Sequence, residues 1–464
     1  MKKRLTYILS SVLMLVIFIT GCKDNPSGGG NKKGEFYEVN SWIVSTMDYY
    51  YYWNELVPEE ADGELEPETF FNGMLQEDDI FSYMSDDAES LQQELQGSSY
   101  TAGFSPTFGA FSNSNGVFII VEFVYPGTPA DEAGLKRGDI ILGINGVSLS
   151  RDNYLDLYYA EGEATYQLGE YDAEENAIGE GGTITINKAQ IDLDPVVHTS
   201  IIDTNGTKIG YMFYAQFLVG EGDQFIESVD NALSEFEAEG VTELIVDLRY
   251  NPGGRVTAAE NMANSIVPAI EADNEEVFVR YEYNDNLRSY FQSVEGINSP
   301  NLVARFSSDP VNLNLERAYF LTTSSSASAS ELLINGLRPY MDVVQIGTPT
   351  FGKFYGSFVL TGEDASPPND YAVVPVTLKY ANADGVSDFR DGLMPDYEVE
   401  EDIFQPEPIG DPADPMLGKA LELITGEPGP VAKKRSNIPY QKLHDRVQLR
   451  KGNVLFEDFK DIRN

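Results

Sequence analysis

"ERAYFLTTSSSASASELLINGLRP", residues 316–339, carries the reading on which the rest of the chain depends. The β-prone run ending in Leu321 predicts a buried strand, and Leu332, Leu333 and Leu337 recur at helical spacing, so the stretch reads as strand, turn and helix. Five serines fall within seven positions of that turn. Alone they would read as a Ser-rich loop. Between a strand and a helix they read differently: such a unit delivers a side chain to a helix N-terminus, where free N–H groups and the macrodipole favour developing negative charge. A nucleophile and its oxyanion suit that place.

Working outward, the sequence alternates. "TKIGYMFYAQF" (207–217), an amphipathic stretch with Phe225, Val229, Leu233 and Phe236 on one face, and "VTELIVDLRYNPGG" (241–254) predict an α/β layer with crossover helices. Earlier, Val39, Trp42, Ile43, Met47, Tyr50 and Trp53 follow helical spacing, which predicts an aromatic-faced helix running to Trp53. Between these regions "GVFIIVEFVYPGTPADEAGLKRGDIILGINGVSL" has strand patterning and a hairpin signal at Asn145-Gly146. This part resembles a PDZ domain. The resemblance implies capture of an extended peptide at a sheet edge, with the loop at Gly103 and Phe104 as candidate peptide-binding residues and "RDNYLDLYYAEG" as the groove helix.

Composition narrows the function. The 464 residues exceed what one core normally supports, and 42% hydrophobic content with 27 Tyr and 25 Phe describes a folded, multidomain chain. The formal net charge of -44 argues against a nucleic-acid partner, because a phosphate backbone is repelled at long range. The start "MKKRLTYILSSVLMLVIFITGC" reads as a secretory signal whose apolar stretch is short for a membrane span. Its end resembles a bacterial lipoprotein box, which implies lipidation of Cys22 and attachment to a membrane. Cys22 is the sole cysteine, so no disulfide can form within the chain. Residues 427–464 hold nine Lys/Arg against five Asp/Glu and predict a basic tail that associates with the acidic body.

A serine nucleophile needs a base, and histidine is scarce: His198 and His444 are the only two, and neither lies in a loop that reads as catalytic. Lys353, in "GTPTFGKFYGSF", is the better candidate. A lysine serves as general base when burial lowers its pKa from about 10.4 towards 7 or 8, and Phe351, Phe354 and Tyr355 offer apolar surroundings.

Together, "DLRYNPGG", "SASASE" and "GTPTFGK" are similar, in this order, to the C-terminal processing (tail-specific) peptidases, Ser-Lys serine proteases that carry a PDZ domain. The likeness covers about residues 36 to 426. It implies Ser328 as nucleophile, Lys353 as base 25 positions later, and an oxyanion hole of backbone N–H groups from Gly253 or Gly254 and from Ala329. Phe354 and Ser357 stand where the family has Gly and Gln, so Ser357 is a candidate third member of the site. The implied organisation is a signal peptide 1–21, a lipid-anchored linker 22–35, an N-terminal helical region 36–98, a PDZ domain 99–192, a Ser-Lys peptidase core 193–426 and the basic tail 427–464. The expected fold is α/β multidomain, and the expected activity is hydrolysis of polypeptide substrates in the bacterial cell envelope. A non-catalytic PDZ-type peptide-binding lipoprotein is the alternative. No phosphate-loop, dinucleotide or "HExxH" pattern occurs, so neither cofactor nor metal is expected, and the oligomeric state is left open.

Overall fold

Six strands form the central sheet, in the order Val196–Thr204, Thr207–Tyr214, Glu243–Asp247, Arg317–Thr322, Asp342–Gly347 and Tyr397–Glu398. The first pair is antiparallel and the others are parallel. Parallel neighbours require crossovers, and the helices Gln224–Glu239 and Ala329–Leu337 lie on two of those connections. The first buries Phe225, Val229, Leu233 and Phe236 as its spacing predicts. This computed structural model describes residues 34–204, 206–429, 435–444 and 456–457. The expected signal segment and Cys22 lie outside the described residues, among which no helix is long and apolar enough to cross a membrane.

A second sheet combines Val303–Arg305, Val277–Tyr283, Val376–Asn382, Tyr355–Phe358 and Phe456–Glu457. Its buried side chains join one apolar cluster with the N-terminal helix Tyr37–Tyr50, so the N-terminal residues are packed into the body of the molecule. That helix stops at Tyr50 rather than at Trp53. Tyr51 is extended (φ -65°, ψ 135°), its hydroxyl donates to Asp79 Oδ2 at 2.8 Å, and Tyr52 N–H donates to Val376 O at 2.8 Å. Tertiary hydrogen bonds here override the helical spacing of the aromatics.

The PDZ-like module is a separate sheet whose main path runs Tyr440–His444, Phe104–Phe111, Val117–Val124, Ile140–Ile144, Glu163–Asp172 and Ala177–Asn187. The helix Tyr154–Tyr159 packs on it, with Tyr154 and Tyr158 against Phe108 at 5.2 Å between ring centroids. The chain enters and leaves this module through paired strands, Ser98–Thr101 against Ala189–Asp192. Arg137 ties the module to the central sheet: it donates to Tyr250 Oη at 2.7 Å, to Glu407 O at 2.9 Å and to Glu401 at 2.8 Å. Tyr250 belongs to the "DLRYNPGG" turn, and the neighbouring Arg249 is fully buried between Asp247 and Asp414. Its guanidinium forks onto Asp414 at 2.7 and 2.9 Å, which fixes the glycine turn against the helix Pro415–Thr425 that Asp414 caps.

Candidate active site

The strand Arg317–Thr322 ends in the serine turn, and the helix Ala329–Leu337 starts directly behind Ser328. Ser328 is held at φ 59°, ψ -109°, a positive-φ conformation that is costly for a residue with a Cβ. The turn is fastened to the glycine loop by Asn251. Ala327 N–H and Ser330 Oγ both donate to Asn251 O, while Asn251 Oδ1 accepts from Gly253 N–H at 2.9 Å. Gly253 itself, at φ 98°, lies so close to the turn that a Cβ would sit 2.7 Å from Ser328 Cβ and 2.8 Å from Ala329 N. Only glycine fits there. Gly253 N–H is committed to Asn251 Oδ1, which among the described residues leaves Gly254 and Ala329 as the candidate oxyanion donors of the expected set.

Lys353 arrives on the loop after Asp342–Gly347. Phe351 N–H donates to Ser326 O at 3.0 Å, joining that loop to the serine turn. A second link, invisible in the sequence reading, is Glu331. Its Oε2 accepts from Ser328 N–H at 2.8 Å and from Lys353 N–H at 2.9 Å, and its Oε1 accepts from Gly352 N–H and Thr350 Oγ1, both at 2.6 Å. One carboxylate therefore positions the backbones of both candidate residues. The available signal was a Glu three residues beyond a helix N-cap, where a side chain reaches back to the cap N–H. Burial pushes the Glu331 carboxyl up to about 7, although the four donors pull it the other way. Glu331→Gln turns one acceptor into a donor facing donors, and we expect it to cost about 2–4 kcal/mol, read as a lower urea midpoint. An unchanged midpoint would show that the four donors find other partners.

Ser328, Lys353 and Ser357 are all buried, and Ser328 Oγ, Lys353 Nζ and Ser357 Oγ have no hydrogen-bond partner among the described residues. Buried polar atoms without partners are rare and call for a reason. Burial lowers the Lys353 pKa to about 7, while the carboxylates of Asp79 and Glu331 act in the opposite direction. The aromatic ring facing Nζ comes from outside its own loop: Phe81, from the N-terminal residues, lies 5.2 Å away. Tyr380 Oη lies 3.4 Å from Ser328 O and 3.5 Å from Lys353 O, closing the same pocket. Ser357 sits on the strand Tyr355–Phe358, where its backbone pairs with Val376. His198 is elsewhere, on the edge strand Val196–Thr204, with its ring beside Tyr211 and Gly410. In the PDZ-like module Gly103 takes φ 93° and Phe104 is buried at the start of the groove strand. Among the described residues no three His, Cys, Asp or Glu side chains converge as a metal site.

Comparison with known proteins agrees in order along the chain. The model of peptidase family S41 matches residues 208–399, that of the peptidase S41 N-terminal domain matches 38–83, and a PDZ domain model matches 120–163. The carboxyl-terminal-processing protease of Synechocystis is 29% identical over 321 residues, covering 68% of this chain and 66% of that protein. A carboxy-terminal processing protease of Bacillus subtilis is 26% identical over 299 residues, covering 63% of this chain and 55% of its own length. The chain thus spans about two thirds or less of these relatives. A Bacteroides fragilis structure assigned to the S41 proteases superposes with a TM-score of 0.68 at 28% identity, over 83% of this chain and 97% of that one.

Proposed function

Because this chain belongs to peptidase family S41, among the carboxyl-terminal processing proteases, we propose that it is a serine endopeptidase working through a Ser328–Lys353 dyad on polypeptide substrates. The observation that carries the assignment is the pair of buried, partnerless atoms Ser328 Oγ and Lys353 Nζ, on residues whose backbone N–H groups donate to one carboxylate.

In the proposed reaction the neutral Lys353 amine takes the Ser328 proton as Oγ attacks the scissile carbonyl. The tetrahedral oxyanion is met by backbone N–H groups of Ala329 and Gly254, fixed dipoles that need no rearrangement as charge develops. Lys353 then gives its proton to the leaving amine. A water, deprotonated by the same amine, resolves the acyl-enzyme. Glycine at 253 allows the close approach on which this geometry rests. Ser357, whose buried Oγ also lacks a partner among the described residues, is the proposed third member and would accept a hydrogen bond from the Lys353 ammonium formed mid-reaction. The PDZ domain recruits extended chains through the Phe104–Phe111 edge, with Gly103 and Phe104 at the loop that receives the end of the peptide. Cys22 would tether the enzyme to a membrane of the bacterial envelope.

A fluorophosphonate probe tests this reading without knowledge of the substrate. It should label the wild type and leave Ser328→Ala unlabelled. Lys353 in the fold holds its proton less tightly than an ordinary lysine, so the labelling rate should rise with pH through about 7 and level off above it. Glu331 titrates in the same range, so the inflection belongs to the pair rather than to one group. A rate that climbs only above pH 9 would return Lys353 to ordinary basicity and remove it as the base.

A further inference from the structure

We propose that the segment 435–444 of this chain is a built-in ligand of its own PDZ groove, which polypeptide substrates must displace. The groove strand Phe104–Phe111 has one neighbour in Val117–Val124, and its other edge is taken by Tyr440–His444. Pairing is antiparallel, with Tyr440 opposite Phe111, Gln441 opposite Ala110, Lys442 opposite Gly109 and His444 opposite Phe108. The segment therefore runs toward Phe104 and the Gly103 loop, in the manner of an extended peptide added to a sheet edge.

Side chains match the backbone. Leu443 packs against the apolar cluster that includes Phe104, Phe108 and Tyr154, the strand and helix that flank the groove. Arg151, just before that helix, donates to Gln441 Oε1 at 3.1 Å. The upstream end is anchored on the peptidase body: Ser436 N–H and Oγ donate to the Asp402 carboxylate at 2.6 and 2.7 Å, and Arg435 pairs with Glu400. Asn437 N–H donates to Asn176 Oδ1 at 2.8 Å on the PDZ side. Tyr440 lays its ring against Phe118 and Phe404, at 5.6 and 5.5 Å. The segment thus bridges both bodies.

It also reaches the serine turn. Lys442 Nζ lies 3.4 Å from Ser325 Oγ, three residues ahead of Ser328. Arg435, Tyr440 and Lys442 share with Ser324 and Ser325 the walls of a cavity of about 350 Å³ between the PDZ sheet and the turn. A peptide that took the groove would remove this wall, so occupancy of the groove and the surroundings of the serine turn are coupled by geometry.

A ligand tethered in the same chain competes at an effective concentration of about millimolar. It suppresses weak peptides and yields to chains that bind better. The chemistry it displays defines the competitor: an extended backbone with an apolar side chain at the Leu443 position.

The test uses the full chain carrying Ser328→Ala, so that no probe is cut, and a fluorescein-labelled peptide SNIPYQKLH, the sequence of residues 436–444. Leu443→Asp, or independently Gln441→Pro, should raise its affinity at least tenfold by freeing the edge. Amide exchange at Gly109 to Phe111 should quicken in both variants, which also reports that the remainder is folded. Equal affinity with and without the substitutions, or no binding by any of the three chains, overturns the proposal. The inference rests on the peptide-recruiting role of the PDZ domain but not on catalysis. Failure of the binding assay leaves the dyad standing, and failure of fluorophosphonate labelling leaves the groove ligand standing.

Discussion

Ser328→Ala is expected to lower kcat/KM for peptide hydrolysis by about 10⁴- to 10⁶-fold while leaving stability within about 1 kcal/mol of the wild type. The two halves of that expectation have one origin. Ser328 Oγ has no hydrogen bond, so its removal breaks none, and the positions of Glu331, Asn251 and Gly253 depend on the Ser328 backbone rather than on its hydroxyl. What disappears is the atom proposed to form the acyl-enzyme. The φ of 59° with ψ -109° sharpens the test, because Ser328→Gly relieves a conformation that costs an L-residue about 1–3 kcal/mol. The glycine variant should melt higher and be as inactive as the alanine variant. Turnover of a quenched fluorescent peptide and a thermal melt measure both. Activity retained within tenfold in either variant would remove Ser328 as the nucleophile.

Lys353→Met is expected to cost about 10³- to 10⁴-fold in kcat/KM, and Lys353→Arg about as much, since a guanidinium does not give up its proton. Stability should move the opposite way. The folded state lowers the Lys353 pKa from 10.5 to about 7, so between those values the unfolded chain binds the proton and the native chain does not. Native stability therefore rises with pH across that window, and the penalty for burying this amine is complete below about 7. Methionine carries no such penalty. Lys353→Met should stabilise the protein most at pH 7 and below, by a few kcal/mol in order of magnitude, with the gain fading toward pH 10.5. Urea unfolding at several pH values measures it. A variant less stable than the wild type at pH 6 would show that the amine is stabilised in the fold by partners rather than strained by burial.

Much of the site is legible because its backbone is local. The strand before the serines, the apolar helical face after them and the glycines of "NPGG" each follow from spacing within about ten residues, and the motif order supplied the pairing with Lys353. Other parts carry no such mark. Glu331 reads as an ordinary first-turn acid; only when Gly352, Lys353, Thr350 and Ser328 are brought around it does it become the joint of the site. The segment 435–444 was visible as excess basic charge, whereas its attachment is chiefly a strand register and a leucine in a groove. Tyr51 broke the aromatic helix because its hydroxyl found Asp79, a partner 28 residues away.

By itself, then, the sequence determined the α/β alternation and the strand–turn–helix that carries Ser328, and it pointed to lysine as the proposed base in a chain with two histidines, since each depends on residue type and near spacing. The tertiary structure decided the surroundings on which the proposed roles of these residues rest. A lysine becomes a base when water is removed from it, and here the apolar neighbours include Phe81, brought across some 270 positions of chain. Desolvation is a property of everything packed around an atom, and no local pattern encodes it.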